Sequence, residues 1–325
     1  MVNTYYPSSS EIHIKTEKMK QTPKTTTLRL GLLLMTFSAL VSCQGTCNKG
    51  FYKGGISTSM PLESKYKEMG PEQVTRTEYN STDAATSKII VVYPQSLQHT
   101  EQALPLVNMG NASNTTAYDI IEAMEHLASW GFVVIGNMDK QTGTGASISH
   151  TLDEFLAFAS QQDNPFYDKI DTQRIAVAGY SQGAFGALMA ATCYPNSHLY
   201  KAVYLCSCPQ KQVGINFKWG ESDFSRISAP LLMFAGTGNW DSNIISPEEA
   251  FQANFNETND SIPVIAARHT SKDHEDMGAE GDPYMTAWFC HFLKGDDTAG
   301  KAFFGKEAEI LKNTVRWKNV WRKGL

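Results

Sequence analysis

The sequence predicts an α/β fold in which a mostly parallel central sheet is flanked by helices on both faces. Three observations carry that expectation. Short β-branched runs alternate with amphipathic stretches along the chain. The runs lack the apolar–polar alternation of half-exposed strands, which marks strands buried on both faces. Hydrophobic residues make up 42% of 325, enough for the large core that a layered domain requires and too many for a disordered chain.

The first element is an address. Leu28–Val41 (LRLGLLLMTFSALV) has the length of a signal-peptide core and is too short to span a membrane comfortably. Lys20, Lys24 and Arg29 supply its positive flank. Net charge is −5, but the first 42 residues contribute +3 (five Lys/Arg against two Glu), so the remainder carries −8. No basic footprint for nucleic acid is present. Leu40-Val41-Ser42-Cys43 resembles the bacterial lipobox, which implies a signal peptide over 1–43 and lipidation of Cys43. Met19 is an alternative start, and a plain secretory signal is the alternative reading. Gln44, standing where an Asp favours inner-membrane retention, points to the outer membrane or the surface. The expected location is therefore the bacterial cell envelope, with the chain exported and held by a lipid anchor.

Residues 44–60 are rich in Gly, Ser and Thr and are read as a tether. Residues 61–325 are read as one domain, without repeats. Within it, Lys88–Tyr93, Leu104–Met109, Phe132–Ile135, Arg174–Ala178, Ala202–Cys206, Leu231–Ala235 and Pro263–Ala267 are predicted strands. Ala117–Trp130 is a predicted helix, with Ile120, Ile121, Met124 and Leu127 at helical spacing and Gly131 as its stop. Thr151–Ala159, Gln182–Thr192 and Met285–Leu293 are the other predicted helices. Six cysteines occur, and lipidation of Cys43 leaves five: Cys47, Cys193, Cys206, Cys208 and Cys290. Five cannot all pair within one chain. Cys206 and Cys208 are read as core thiols on one face of a strand. The acidic group Asp273, Glu275, Asp276 and Asp282 lacks EF-hand spacing and is read as a solvated loop. No metal or organic cofactor is expected.

Function in such sheets gathers at the carboxyl ends of the strands. Gly179-Tyr180-Ser181-Gln182-Gly183 follows one strand and opens a helix, the context that gives G-x-S-x-G its meaning. The glycines permit a turn tight enough to lift the Ser181 hydroxyl above the sheet. The amide of Gln182 then sits at a helix N-terminus, where free N–H groups favour an anion. In the chain order serine, acid, histidine, Asp241 follows the strand Leu231–Ala235, whereas Asp223 precedes it at the wrong end. His274, in Asp273-His274-Glu275-Asp276-Met277, is favoured over His269, which lies close behind its strand. His126, His150 and His291 are disfavoured by position. The loop after Leu104–Met109 is expected to give a second oxyanion donor, the backbone N–H of Asn111 or, next, of Ala112.

These residues together resemble the α/β-hydrolase superfamily. PLVNMGNASNTTAYD, LASWGFVVI, IDTQRIAVAGYSQGA, PLLMFAGTGNWD and DHEDM leading to TAWFCHFLKGD, across residues 85–305, are similar to the polyester (PET)-hydrolase-like, cutinase-like and chlorophyllase-like branch near the dienelactone hydrolases. The resemblance implies Ser181 as nucleophile, Asp241 as acid, His274 as base, and the amides of Gln182 and Asn111 as oxyanion hole. It implies a serine carboxylic-ester hydrolase acting through an acyl-enzyme; separately, no long apolar insertion marks a lid, so small or accessible esters are expected. Asn239 stands where the family often has Asp, in a loop about two residues longer than usual. Asn111 stands where polyester hydrolases frequently carry an aromatic, so activity on plastic is not implied; Trp240 is the candidate for aromatic substrate surface. The alternatives are a peptidase or acyltransferase using the same triad, and a non-catalytic surface lipoprotein that binds a ligand or polymer.

Overall fold

The computed structural model describes residues 56–325. The candidate signal peptide, Cys43 and most of the tether lie outside them. Among the described residues one sheet holds nine strands: β1 (Val74–Asn80), β2 (Lys88–Pro94), β3 (Leu104–Gly110), β4 (Val133–Asn137), β5 (Ile170–Tyr180), β6 (Tyr200–Cys206), β7 (Leu231–Ala235), β8 (Val264–His269) and β9 (Trp317–Lys323). Their spatial order is β1-β2-β4-β3-β5-β6-β7-β8-β9. The pairs β4–β3, β3–β5, β5–β6, β6–β7 and β7–β8 are parallel. The pairs β1–β2, β2–β4 and β8–β9 are antiparallel.

The unalternating runs do lie between two layers. In β2, Ile89 and Val91 face one apolar cluster while Ile90 and Val92 face the other. Burying each such side chain contributes about 1.5–3 kcal/mol, which is why a run without polar interruption settles as a central strand. Seven principal helices accompany the sheet: α1 (Pro61–Tyr66), α2 (Ile121–Ser129), α3 (Ala146–Ala159), α4 (Gln182–Cys193), α5 (Lys211–Asn216), α6 (Glu248–Glu257) and α7 (Met277–Lys294). Side chains of α3, α4 and α6 pack on one face of the sheet. Those of α1, α2 and α7 pack on the other.

Every predicted strand is present, and the structure adds β1 and β9 at the two edges. Helix boundaries need correction. A 3-10 turn over Ala117–Ile120, with a capping box between Thr116 and Asp119, precedes α2. α3 begins at Ala146, five residues before the predicted start, behind Gly145 at φ 77°. α7 begins at Met277, eight residues before the predicted start, and carries Pro283 inside it. Gly281 is required by packing: a Cβ there would stand 2.1 Å from the Tyr204 hydroxyl.

The expectation that Cys206 and Cys208 share a face is overturned. Ser207 has φ 45°, which breaks the two-residue period of the strand. Cys206 joins the α7 side of the core and Cys208 the α4 side. Burial pushes both thiols up, Cys206 to about 12. Cys193, Cys206, Cys208 and Cys290 are all free thiols. The acidic group is not a single solvated loop either: Asp282 is buried in α7, 2.5 Å from Nδ1 of the buried His126.

A buried polar network ties the two ends of the described chain together. Glu63 of α1 accepts hydrogen bonds from Arg316 Nε (3.0 Å), Asn313 Nδ2 (2.7 Å) and Trp317 Nε1 (2.9 Å). Arg316 continues to Glu280 of α7 (2.6 Å), and Glu280 to Lys272 (2.9 Å). Lys272 lies two residues before His274, so the network reaches the loop that bears it.

Candidate active site

The register of the parallel strands brings the sequence candidates to one edge of the sheet. Gly110 of β3 lies beside Gly179 of β5, Tyr180 beside Cys206 of β6, and Ala235 of β7 beside Arg268 of β8. The segments leaving these strand ends carry Asn111, Ser181, Ser207, Asp241 and His274 in turn.

Ser181 forms the turn between β5 and α4 with φ 58° and ψ −126°, a left-handed backbone that side chains rarely adopt. The turn closes this tightly because Gly179 and Gly183, two residues to either side, have no Cβ. On Gly179 a Cβ would stand 2.1 Å from the carbonyl oxygen of Gly183, and on Gly183 it would stand 2.2 Å from that of Gly110. The second contact also sets the Gly110–Asn111 backbone against the start of α4. The first amides of that helix have no partner within it. Ser181 N–H donates to the Cys206 carbonyl (3.0 Å), which pins the turn to β6.

Ser181 Oγ lies 2.8 Å from Nε2 of His274, and Nδ1 of His274 lies 2.8 Å from Oδ1 of Asp241. Asp241 is fully buried. Its other oxygen accepts from Ser207 Oγ (2.7 Å) and from the Gly236 backbone N–H (2.5 Å). It opens a π-helical turn over Asp241–Ile245 rather than lying in an open loop. Behind it the buried Arg268 donates to the carbonyls of Gly236 (2.6 Å) and Ser246 (2.7 Å). Burial pulls the Arg268 pKa down, and the carboxylates of Asp241 and Glu248 oppose that pull.

Asp273 joins the acid loop to the histidine loop. Its carboxylate accepts from the backbone N–H groups of His274 (2.7 Å), Asp241 (3.0 Å) and Trp240 (3.1 Å). Burial works to raise its pKa, but these three donors outweigh it and hold the group below the ordinary carboxylate value. Tyr180 supports the imidazole from beside: its ring centroid lies 5.1 Å from that of His274, and its hydroxyl donates to the His274 carbonyl (2.7 Å).

Ser181, Asp241 and His274 are thus brought together, and Gln182 and Asn111 lie beside them. The Asn111 side chain is turned inward, donating to the carbonyls of Thr115 (2.6 Å) and Asp139 (2.8 Å). Trp240 is about half exposed next to Asp241. The competing candidates lie elsewhere. His269 is the last residue of β8 and packs edge-on against Trp317, 3.6 Å from Glu280. Asp223 caps a turn before β7, accepting from Ser225 N–H. Sequence reasoning missed three supporting residues: Ser207, Tyr180, and Asp273, which it takes only as part of a solvated acidic loop. For Asp273 a signal existed, since a short acceptor side chain directly before the histidine suits a cap; for the other two none did.

A mostly parallel sheet in this strand order, with a serine on a strained strand-to-helix turn and a histidine and a carboxylate behind it, defines the α/β-hydrolase fold. The model of a family described as PET hydrolase-like matches residues 69–319, well over half of the chain. The chain belongs to this PETase family of α/β hydrolases, and membership supports an ester-hydrolase activity. No curated protein matches it.

Proposed function

We propose that the protein is a serine carboxylic-ester hydrolase that works through an acyl-enzyme intermediate. The observation that carries this reading is the continuous hydrogen-bond line from Ser181 Oγ through His274 to the buried Asp241. Nε2 of His274 takes the hydroxyl proton as Oγ attacks the ester carbonyl. Asp241 keeps the proton of His274 on Nδ1 and offsets the charge of the imidazolium; Ser207 and Gly236 hold the carboxylate in place. The amides of Gln182 and Asn111 meet the developing oxyanion, each such donor stabilising the transition state by about 2.7–4 kcal/mol. His274 returns the proton to the leaving alcohol. Water then attacks the acyl-serine with His274 again as base, which releases the acid and restores Ser181.

The test is hydrolysis of p-nitrophenyl acetate and butyrate by the protein and by Ser181→Ala. The variant loses turnover by at least about 10³-fold while its thermal midpoint stays close to that of the parent. Turnover by Ser181→Ala at the parent rate would overturn the mechanism.

A further inference from the structure

A cavity of about 220 Å³ lies between the sheet and the layer of α2 and α7, and the proton relay does not use it. Its deep lining is apolar, from Met109, Ala123, Ala178 and Met285. Tyr204 also lines it; its buried hydroxyl has no oxygen or nitrogen partner among the described residues, only the Cys206 thiol beside it. The walls adjoin each candidate catalytic group. Gly110 and Ala112 flank Asn111, Tyr180 precedes Ser181, and Glu275 follows His274. Asp119 and Glu275 are the exposed lining residues, so the mouth opens between the loop after β3 and the segment after His274.

We infer that this cavity receives one arm of the ester substrate, a compact uncharged group of about the size of an aromatic ring. The inference rests on Ser181 as the nucleophile and extends that reading to a substrate class. Size sets the upper bound. An apolar cavity of about 150 Å³ takes up benzene, so this somewhat larger one accepts a ring or a chain of about four to six carbons and excludes a fatty chain. Charge sets the second condition. The lining holds no cation, and the two carboxylates at the mouth repel an anionic arm. The Tyr204 hydroxyl, beside only the weakly bonding Cys206 sulfur, allows one oxygen on the buried group, since a buried donor so poorly paired gains from an acceptor that reaches it.

Two substrate series separate the arms of the ester. p-Nitrophenyl esters from acetate to dodecanoate, with benzoate, vary the acyl arm; alkyl and benzyl acetates vary the alcohol arm. In one of the two series, kcat/KM of the parent peaks at an arm of about four to six carbons or at the aromatic ring. Ala123→Leu fills the cavity and Met285→Ala enlarges it. The readout is the ratio of kcat/KM for the peak substrate to that for the shortest one, taken within one preparation so that loss of folded protein cancels. Ala123→Leu lowers this ratio about tenfold or more, and Met285→Ala moves the peak to a longer arm. Ratios and peak unchanged by both variants in both series overturn the inference. Labelling by a fluorophosphonate separates that failure from a failure of the mechanism. A protein that labels at Ser181 but keeps its ratios loses only the cavity; one that does not label loses the nucleophile as well.

Discussion

Asp273 holds the loops of Asp241 and His274, the two partners of the proposed proton relay, in one frame. Three backbone N–H groups, one from the histidine loop and two from the acid loop, converge on its carboxylate. Asp273→Ala leaves Ser181, Asp241 and His274 in the chain but removes the piece that fixes their separation. Misplacement of a relay by about 1 Å costs about 10²-fold in rate. The expected outcome is a fall in kcat of about 10–100-fold with KM little changed, and partial recovery in Asp273→Asn, which keeps one acceptor oxygen; equal loss in both variants would instead mark the charge as essential. At this scale the sequence was readable where local context defines a role. Ser181 follows a strand and opens a helix between glycines, and Asp241 and His274 follow β7 and β8 in the chain order serine, acid, histidine. Ser207 and Tyr180 were not readable, because each acts through a neighbour that the fold alone brings near: Asp241 is 34 residues from Ser207, and His274 is 94 from Tyr180.

Elements were legible in proportion to their burial. Central strands such as KIIVVY declare themselves because both faces are covered. The edge strands β1 (VTRTEYN) and β9 (WKNVWRK) mix charge with apolar residues, having one neighbour each and a partly solvated face. The first two turns of α7 were hidden by Gly278, Gly281 and Pro283, residues that read as breakers; Gly281 is there because the helix crosses Tyr204 closely. The same helix carries Glu280, through which Arg316 and Lys272 are joined. Glu63→Ala removes the acceptor of three buried donors, Arg316 Nε, Asn313 Nδ2 and Trp317 Nε1, and leaves Arg316 with Glu280 as its remaining carboxylate, so unfolding becomes easier by about 3–5 kcal/mol in denaturant titration. A change below about 1 kcal/mol would show that the network is peripheral to stability.

The whole molecule has a built-in sensitivity to mild acid. His269 is buried among Arg316, Glu280, Lys272 and Glu63, and burial, followed by the charge of Arg316, lowers its pKa from 6.5 to about 4. Between those two values the unfolded chain binds a proton there that the folded chain does not. Stability therefore rises with pH across that window and is lost as pH falls from about 6.5 towards 4, above the range where most carboxylates titrate. Thermal midpoints between pH 7.5 and 4.5 should show this slope, and His269→Gln should reduce it while leaving the share of the buried His126, whose pKa burial also lowers to about 4; an unchanged slope would assign the sensitivity to other groups. A second global property follows from the backbone of Ser181. Its positive φ makes the proposed nucleophile also a locally disfavoured residue, held in place by the surrounding packing. Among variants that already lack the hydroxyl, Ser181→Gly should melt above Ser181→Ala by the equivalent of about 1 kcal/mol, since glycine alone adopts that conformation without penalty. Selection for stability alone would thus drift towards a silent glycine at the heart of the molecule; on the proposed mechanism, the demand for chemistry keeps an oxygen there.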